Sequence, residues 1–490
     1  MAVSMEQHDI IIIGAGLSGI NMAHNLQTQM PHRKFTIFEA RPVLGGTWSF
    51  FHYPGIRCDS SMNIYGFKWH PWGKSHMIAS GQEITQYIED AAEASGIKNK
   101  IRLSHKVMMV EWSSERDKWR LEVNARGTHT TYEASFVVAC SGYYSYDKPQ
   151  EIAIPGLAHF GGKVIHPQWW PKDFNYSGKR IIVIGSGATA ITLVPALAET
   201  SSQITMLQRS PSYIVAIKNR SSINDFIHHR FPVKIAHQLL WWKDALYELL
   251  FLGLVVVLPN LGWSNAIKAS MKKEVPDHVN ADIHFNPKHE VMDQRTCMCP
   301  DGDFFRTLSR NNCEIVTDEI NTVTTEGISL KSGRHLEADI IVTATGLHME
   351  YLAGIEVRVD GKVMNVGDRY AWRCCMLESV PNFAYTTGYL QSTWTIGQSL
   401  VAKLVIRVLT AMERKHVTSV TPVIDSHLTE KERRVAFDTR AGYVLKASGR
   451  LPKTINEGPW YQRAHPWRDI IATYHGNVNE GLVFGKGGKQ

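Results

Sequence analysis

The apolar positions of this chain fall into short runs that stop at glycine. His8–Ile13 (HDIIII) is too short for an amphipathic helix and reads as a buried strand. It ends in Gly14-Ala15-Gly16-Leu17-Ser18-Gly19, and the next apolar run, from Lys34 to Phe38, ends at Glu39. The same succession returns at Arg180–Ile184 (RIIVI), followed by Gly185-Ser186-Gly187-Ala188-Thr189-Ala190 and the run Ile204–Leu207, which closes in Gln208-Arg209-Ser210. Two further runs, Phe136–Gly142 and Ile340–Gly346, end in small residues and glycine, each downstream of one of these turns. Strand, glycine turn, helix and strand, twice over, predicts an α/β chain of two Rossmann-like dinucleotide-binding domains.

The remaining patterns fill in the organisation. Val107–Trp112 and Trp119–Val123 predict a β-meander inserted in the first domain between about 93 and 132. Tyr143–Leu157, rich in Tyr, Pro and Gly, reads as a linker. From Ser221 to His284 the pattern is helical and aromatic, which predicts a helical insert at about 220–300 in the second domain. After Gly346 the chain is expected to cross back, and Asn382–Thr387 with Trp394–Leu409 to complete the first domain as strand and helix. The expected domains are 1–148 with 381–490 and, between them, 149–380, and the last ten residues are expected to be a loose tail. Leu249–Leu258 (LLFLGLVVVL) follows Trp241 and Trp242 and is about half the length a membrane span needs. A buried helix is the first reading, and a peripheral membrane contact through 241–258 is the second.

Composition narrows the class. At 490 residues, two or three domains are expected. A net charge of +7 over that length, with no Lys or Arg stripe, argues against nucleic acid as a partner. The cysteine count, 7, is odd and the positions are scattered, which fits reduced thiols in the cytoplasm. Cys297-Met-Cys299 and Cys374-Cys375 lack a second pair at ligand spacing, so no metal site is expected. The N-terminus shows no basic region, apolar core and cleavage site, so no signal peptide is read there.

The glycine turns carry the chemistry. Gly14 makes the turn, Gly16 lets the backbone approach a pyrophosphate, and Gly19 lets helix pack on strand. Glu39, twenty residues beyond Gly19, can accept hydrogen bonds from both ribose hydroxyls of an adenosine. At the equivalent place the second fold has Arg209, which suits a 2′-phosphate that a carboxylate would repel. One unphosphorylated adenosine dinucleotide and one NADP(H) are therefore expected.

Two longer strings narrow the reading. Residues 45–59, GGTWSFFHYPGIRCD, match G-G-x-W-x-x-x-x-[FY]-P-G-x-x-x-D, and residues 160–171, FGGKVIHPQWWP, match F-x-G-x-x-x-H-x-x-x-W-P. Together they resemble the paired signature of type I Baeyer–Villiger monooxygenases, in the flavin-containing monooxygenase superfamily, and the resemblance runs over nearly the whole chain. It implies FAD along Gly14, Gly16 and Gly19, with Glu39 on the ribose and Gly46, Thr47 and Trp48 near the flavin. Asp59 would lie at the flavin face, with Arg57, Tyr65 and Val107 among the cofactor contacts. NADPH would use Gly185, Gly187, Thr189, Gln208, Arg209 and Ser210. The family reduces FAD with NADPH, adds O2 to give a C4a-peroxyflavin, and inserts one oxygen beside a ketone carbonyl to give an ester or lactone. Its active-site arginine, held by the aspartate of the first string, corresponds to Arg295, so Arg295 and Asp59 are the implied catalytic pair. Many members carry Lys just before that arginine. This chain has Gln294, which leaves NADPH preference to Arg209, with Lys218 as a second candidate.

The second string, with Phe160, Gly162, His166 and Trp170 at its fixed positions, is expected to couple the domains. In that reading Gly162 permits bending, Trp170 with Pro171 braces the far side, and His166 links domain rotation to cofactor binding. A small ketone or sulfide and O2 are the expected partners. An N- or S-oxygenating flavin monooxygenase is the alternative, and a non-catalytic NADPH-sensing flavoprotein stands further off.

Overall fold

The computed structural model describes residues 5–258, 261–291, 293–437, 442–464 and 466–485. Its first sheet is organised around Glu6–Ile13, which runs parallel to Phe35–Phe38 on one side and to the end of Thr128–Ala139 on the other. Ile10 to Ile13 are all buried because both faces of the sheet are covered, which is why this strand reads as a continuous apolar run. Ile10 and Ile12 face the helices Leu17–Gln29 and Trp394–Lys415, while Ile11 and Ile13 face Trp112 and Trp119 of the meander. Trp394–Lys415 is long and apolar enough to cross a membrane, yet 72% of its apolar window is buried, and it serves as a core helix. The meander appears as expected, with His105–Ser113 and Lys118–Ala125 antiparallel and Trp112 opposite Trp119.

The second sheet centres on Arg180–Ile184. Gln203–Gln208 and Cys313–Thr317 lie to one side, Ile340–Thr343 and Lys163–Ile165 to the other, all parallel. The edge strand Lys163–Ile165 belongs to the second signature string, so that string is part of the domain wall. Gly162 is needed there for closeness: a Cβ would run into the Asp339 carbonyl, which accepts from Lys163 N at 3.1 Å, and into the Phe160 ring. Its expected role as a bending point is replaced by this packing role.

The crossings between domains differ from expectation. Tyr144–Pro149, expected as linker, is a strand antiparallel to Leu347–Met349, so the chain passes between the domains as a two-stranded ribbon. Residues 347–380, assigned above to the second domain, belong to the first. Glu356–Val359 pairs in parallel with His105–Ser113, and Ala371–Trp372 joins Met376–Leu377, which joins Phe383–Tyr385. Strands of two to four residues leave too little periodicity to be read from sequence.

The helical insert is present as Ser222–Arg230, Val233–Val257, Trp263–Glu274 and Ala281–His284. Parallel pairing of Ile214–Ile217 with Cys297–Pro300 closes it. The 241–258 stretch lies on a helix that is not buried as expected: one face, with Trp242, Leu246 and Leu250, is exposed. The expected loose tail is also corrected, because Leu482–Gly485 pairs with Ser419–Pro422, while residues 486–490 lie outside the described residues.

Candidate active site

A cavity of about 650 Å³ opens between the two domains, lined by the first glycine turn, the 45–60 string, the Tyr144–Pro149 ribbon and residues 295–298. The first turn is built tightly. A Cβ on Gly19 would strike the Gly14 carbonyl. Gly16 and Gly46 face each other so closely that a Cβ on Gly46 would sit 3.1 Å from the Gly16 Cα. Gly45 N donates to Ala15 O at 3.0 Å, which fastens the first string against the turn. Glu39 is buried, accepting from Ala15 N at 2.8 Å and Arg41 N at 2.9 Å. Burial raises its pKa despite these backbone bonds. A bare backbone track ending at a cavity-facing carboxylate fits an adenosine dinucleotide of the FAD kind.

Further along the cavity, Trp48 Nε1 donates to the Tyr65 hydroxyl at 2.8 Å, and Val107 and Thr47 line the wall. Arg41, which the sequence reading missed, braces the string through Gly46 O at 3.1 Å and Ser49 O at 2.6 Å. Its signal was slight: a lone Arg two residues beyond Glu39.

Asp59 and Arg295 meet. Arg295 Nε donates to Asp59 Oδ2 at 3.0 Å, and Nη2 donates to Oδ1, a two-pronged bridge between the domains. The Asp59 charge holds the Arg295 pKa well above its ordinary value, and the arginine side chain remains 41% exposed, so this residue is a permanent cation. A second, reciprocal bridge joins Arg57 to Asp303 through both oxygens, with Nη2 to Oδ1 at 3.1 Å. Each domain thus gives one Arg and one Asp to the other. Arg57 lines the cavity, and its two terminal nitrogens are committed to Asp303.

Residues not singled out from sequence wall the cavity around this pair. Trp394 stacks on Tyr143 at 4.2 Å, and both line it together with Tyr144. Burial raises the pKa of Tyr143, Tyr144 and Tyr443, and each feels the Arg295 charge, so they surround the cation as neutral phenols. The Tyr-Tyr pair just after Gly142 was the available signal. Cys58 is pushed up to about 12 by burial and is no nucleophile, and all seven thiols are unpaired.

The second turn is more open. Of its residues, Ala188 and Thr189 line the cavity, and a Cβ on Gly187 would meet nothing within 4 Å. Gly185 keeps a positive φ of +138° beside the Ala344 carbonyl. Arg209 and Ser210 are exposed, as a 2′-phosphate site requires, and Lys218 is exposed too. Gln208 is a correction. Its amide donates to His284 O at 2.8 Å and Thr317 Oγ1 at 2.9 Å, so its side chain points into the domain and only its backbone is left for the expected nucleotide contact. Phe160, Gly162, His166 and Trp170 do not line the cavity. Phe160 and Trp170 are core residues of the second domain. His166 Nδ1 accepts from Gln168 N at 3.2 Å, and its ring lies near the Gly346 backbone with Nε2 buried and making no hydrogen bond among the described residues. Gln168 Nε2 donates to Ser145 O at 2.6 Å. The string therefore holds the Tyr144–Pro149 strand of the crossing ribbon and lies beside the residue that precedes the other strand.

Two glycine-turn folds sharing one cavity, with a cation pinned in its wall, define a flavoprotein oxidoreductase with a second nucleotide site. Residues 11–239 match the pyridine nucleotide-disulphide oxidoreductase family model. The FAD-containing monooxygenase EthA of Mycobacterium tuberculosis is 38% identical over 485 residues, covering 98% of this chain and 99% of the relative. The probable FAD-binding monooxygenase AlmA of Acinetobacter baylyi is 37% identical over 483 residues, covering 98% and 96%. The chain belongs to this family of FAD-containing monooxygenases. Its fold is that of an oxidized steroid monooxygenase bound to NADP (TM-score 0.74, 20% identity, covering 98% and 100%). It matches equally the cyclohexanone monooxygenase from Rhodococcus sp. Phi1 bound to NADP+ (TM-score 0.75, 19% identity, covering 99% and 100%).

Proposed function

We propose that this monooxygenase is a cytoplasmic, NADPH-dependent Baeyer–Villiger enzyme that inserts one oxygen of O2 beside a ketone carbonyl, and that it also oxidises sulfides. The observation carrying the reading is the Arg295–Asp59 bridge at the cavity wall. Bound FAD would supply electron transfer from NADPH and activation of O2. The chain supplies the rest. Gly14, Gly16, Gly19 and Glu39 would hold FAD, and Thr189, Arg209 and Ser210 would hold NADPH. Asp59 takes Nε and Nη2 of Arg295, which leaves Nη1 to donate to the ketone oxygen as it gains negative charge during insertion. Tyr143, Tyr144 and Trp394 line the cavity with that charge, and a ketone seated against them would displace water and strengthen the interaction. N- or S-oxygenation needs no carbonyl oxygen stabilised, so a pinned arginine favours the ketone. A non-catalytic NADPH sensor would have no use for it.

The test is Arg295→Ala. Flavin reduction by NADPH should persist, while ester formation from a panel of linear, cyclic and aromatic ketones falls about 10²- to 10³-fold. Wild-type ester yield from that variant, or no ester from any ketone with the wild type, would overturn the reading. If sulfide oxidation survives where ester formation is lost, the arginine acts on the carbonyl.

A further inference from the structure

Most of the chain hides its apolar side chains. The insert does not. Along Val233–Val257 the residues Ile235, Leu239, Trp242, Leu246, Leu250 and Leu254 recur at helical spacing and are each 42–58% exposed, forming a stripe that continues to Val257 and is about 33 Å long. The helix is turned inside out for a globular protein. Its two carboxylates face inward: Asp244 Oδ2 accepts from Ser61 Oγ at 2.7 Å and Asn63 Nδ2 at 2.8 Å, and Glu248 accepts from Thr393 N and Thr393 Oγ1, both at 2.6 Å. His237, on the same inner face, bonds Phe67 O at 3.1 Å. Rotating the helix to bury the stripe would break all of these bonds, so the exposure is locked in.

The stripe does not end with the insert. Trp467 Nε1 donates to Leu249 O at 3.2 Å, which seats the helix Pro466–Tyr474 of the first domain beside it. Trp467, Ile471 and Tyr474 are exposed there as well. An apolar platform drawn from both domains is larger than the isolated surface hydrophobics of ordinary proteins.

Its border is cationic. The exposed residues of Val233–Val257 include no carboxylate, and Arg230 and Lys234 stand exposed at its start. At the far end of Pro466–Tyr474, Arg407 donates to Gly476 O at 2.7 Å, and it lines a groove with Lys403, Arg414 and Lys415. An apolar face with tryptophan and tyrosine, edged by cations and with no exposed carboxylate on its two helices, complements a bilayer whose headgroups are anionic.

We propose that the enzyme docks on an anionic lipid surface through this platform, with Val233–Val257 lying in the plane of the headgroups. The helix does not span the bilayer, because its inner face is bonded to the first domain. The proposal is independent of which substrate the active site oxidises.

The test uses the FAD-loaded enzyme and extruded vesicles of pure phosphatidylcholine or of phosphatidylcholine with equal phosphatidylglycerol. The wild type should co-sediment with the anionic vesicles at least tenfold more strongly than with the neutral ones, and less so in high salt. The double variant Leu246→Glu/Leu250→Glu should lose that binding at least tenfold while its FAD content and NADPH-driven flavin reduction stay unchanged. Arg414→Ala/Lys415→Ala should weaken binding to the anionic vesicles alone. Three results would overturn the proposal: no sedimentation with either vesicle, equal binding by the double variant, or a wild-type dimer that ignores vesicles and is split by the double variant. The last would assign the platform to a second copy of the chain.

Discussion

The two glycine turns start alike and are built to different tolerances. In the first, Gly19 sits against the Gly14 carbonyl, Gly16 lies against Gly46, and Glu39 is buried with both oxygens bonded. In the second, the position matching Gly19 is Ala190, which the packing accepts fully buried, Gly187 faces open space, and Arg209 stands in solvent. A site closed on several sides suits a cofactor that stays bound. A site open on one side suits a nucleotide that exchanges, so the two builds of one motif fit the proposed division between FAD and NADPH.

The sharpest test of that difference is a pair of equal substitutions. Gly19→Ala forces a Cβ into the Gly14 carbonyl and should cost about 3 kcal/mol, seen as release of FAD and early thermal unfolding. Gly187→Ala should keep FAD and unfold with the wild type, since nothing in the protein meets the new methyl, and raise only the KM for NADPH. Equal loss of FAD from both variants would end the distinction.

Next in size is Arg209→Ala. With Gln294 where many relatives have Lys, the exposed Arg209 is left as the principal partner of the 2′-phosphate. Losing a charge-assisted pair of about 1.5–3 kcal/mol should raise the KM for NADPH roughly 10- to 100-fold. The KM for NADH should not move, and a parallel rise in both would show that Arg209 binds no phosphate.

How far the sequence shows this depends on how local the chemistry is. Gly14 to Gly19, Glu39 and the Asp59 string lie within single strand–turn units, so their placement at one cavity could be read from local sequence. The Arg57–Asp303 bridge could not, because its partners are 246 positions apart and neither position says what the other needs. Tyr144–Pro149 contains Asp147 and Pro149, and its pairing partner Met349 lies two hundred residues on, so it looked like a linker. Gln208 ends a strand buried on both faces, where alternation gives no clue to the direction of a side chain. The apolar run on the insert helix was visible. Which way it faced was decided by Asp244 and Glu248, whose partners belong to the other domain.

The closed seat should also sense pH. Burial raises the Glu39 pKa in the folded protein, which therefore binds the proton more tightly than the unfolded chain does, and this residue's contribution to stability declines as pH rises above its ordinary range. The adenosine hydroxyls need the ionised carboxylate as acceptor, so FAD binding must expel that proton. FAD affinity should therefore fall as pH drops through the raised pKa, by at most about tenfold per pH unit. Glu39→Gln should bind FAD more weakly and show no such slope. A variant that kept the slope would place the titrating group elsewhere.

The smallest effect is expected where the two sites are joined. His166 lines neither nucleotide turn; it caps the short helix Pro167–Trp169 and lies near Gly346, while Gln168 holds Ser145 on the Tyr144–Pro149 strand of the ribbon. His166→Ala should leave FAD content and the KM for NADPH unchanged, since no contact to either site is lost. What loosens is the angle between the domains, and with it the meeting of Arg295 with Asp59. Turnover should fall a few-fold, with more NADPH consumed per molecule of product and the excess appearing as hydrogen peroxide. His166→Asn, which can still accept from Gln168 N, should recover most of the loss. Full coupling in His166→Ala would mean that the ribbon is rigid by itself and that the string serves only as the edge of the second sheet.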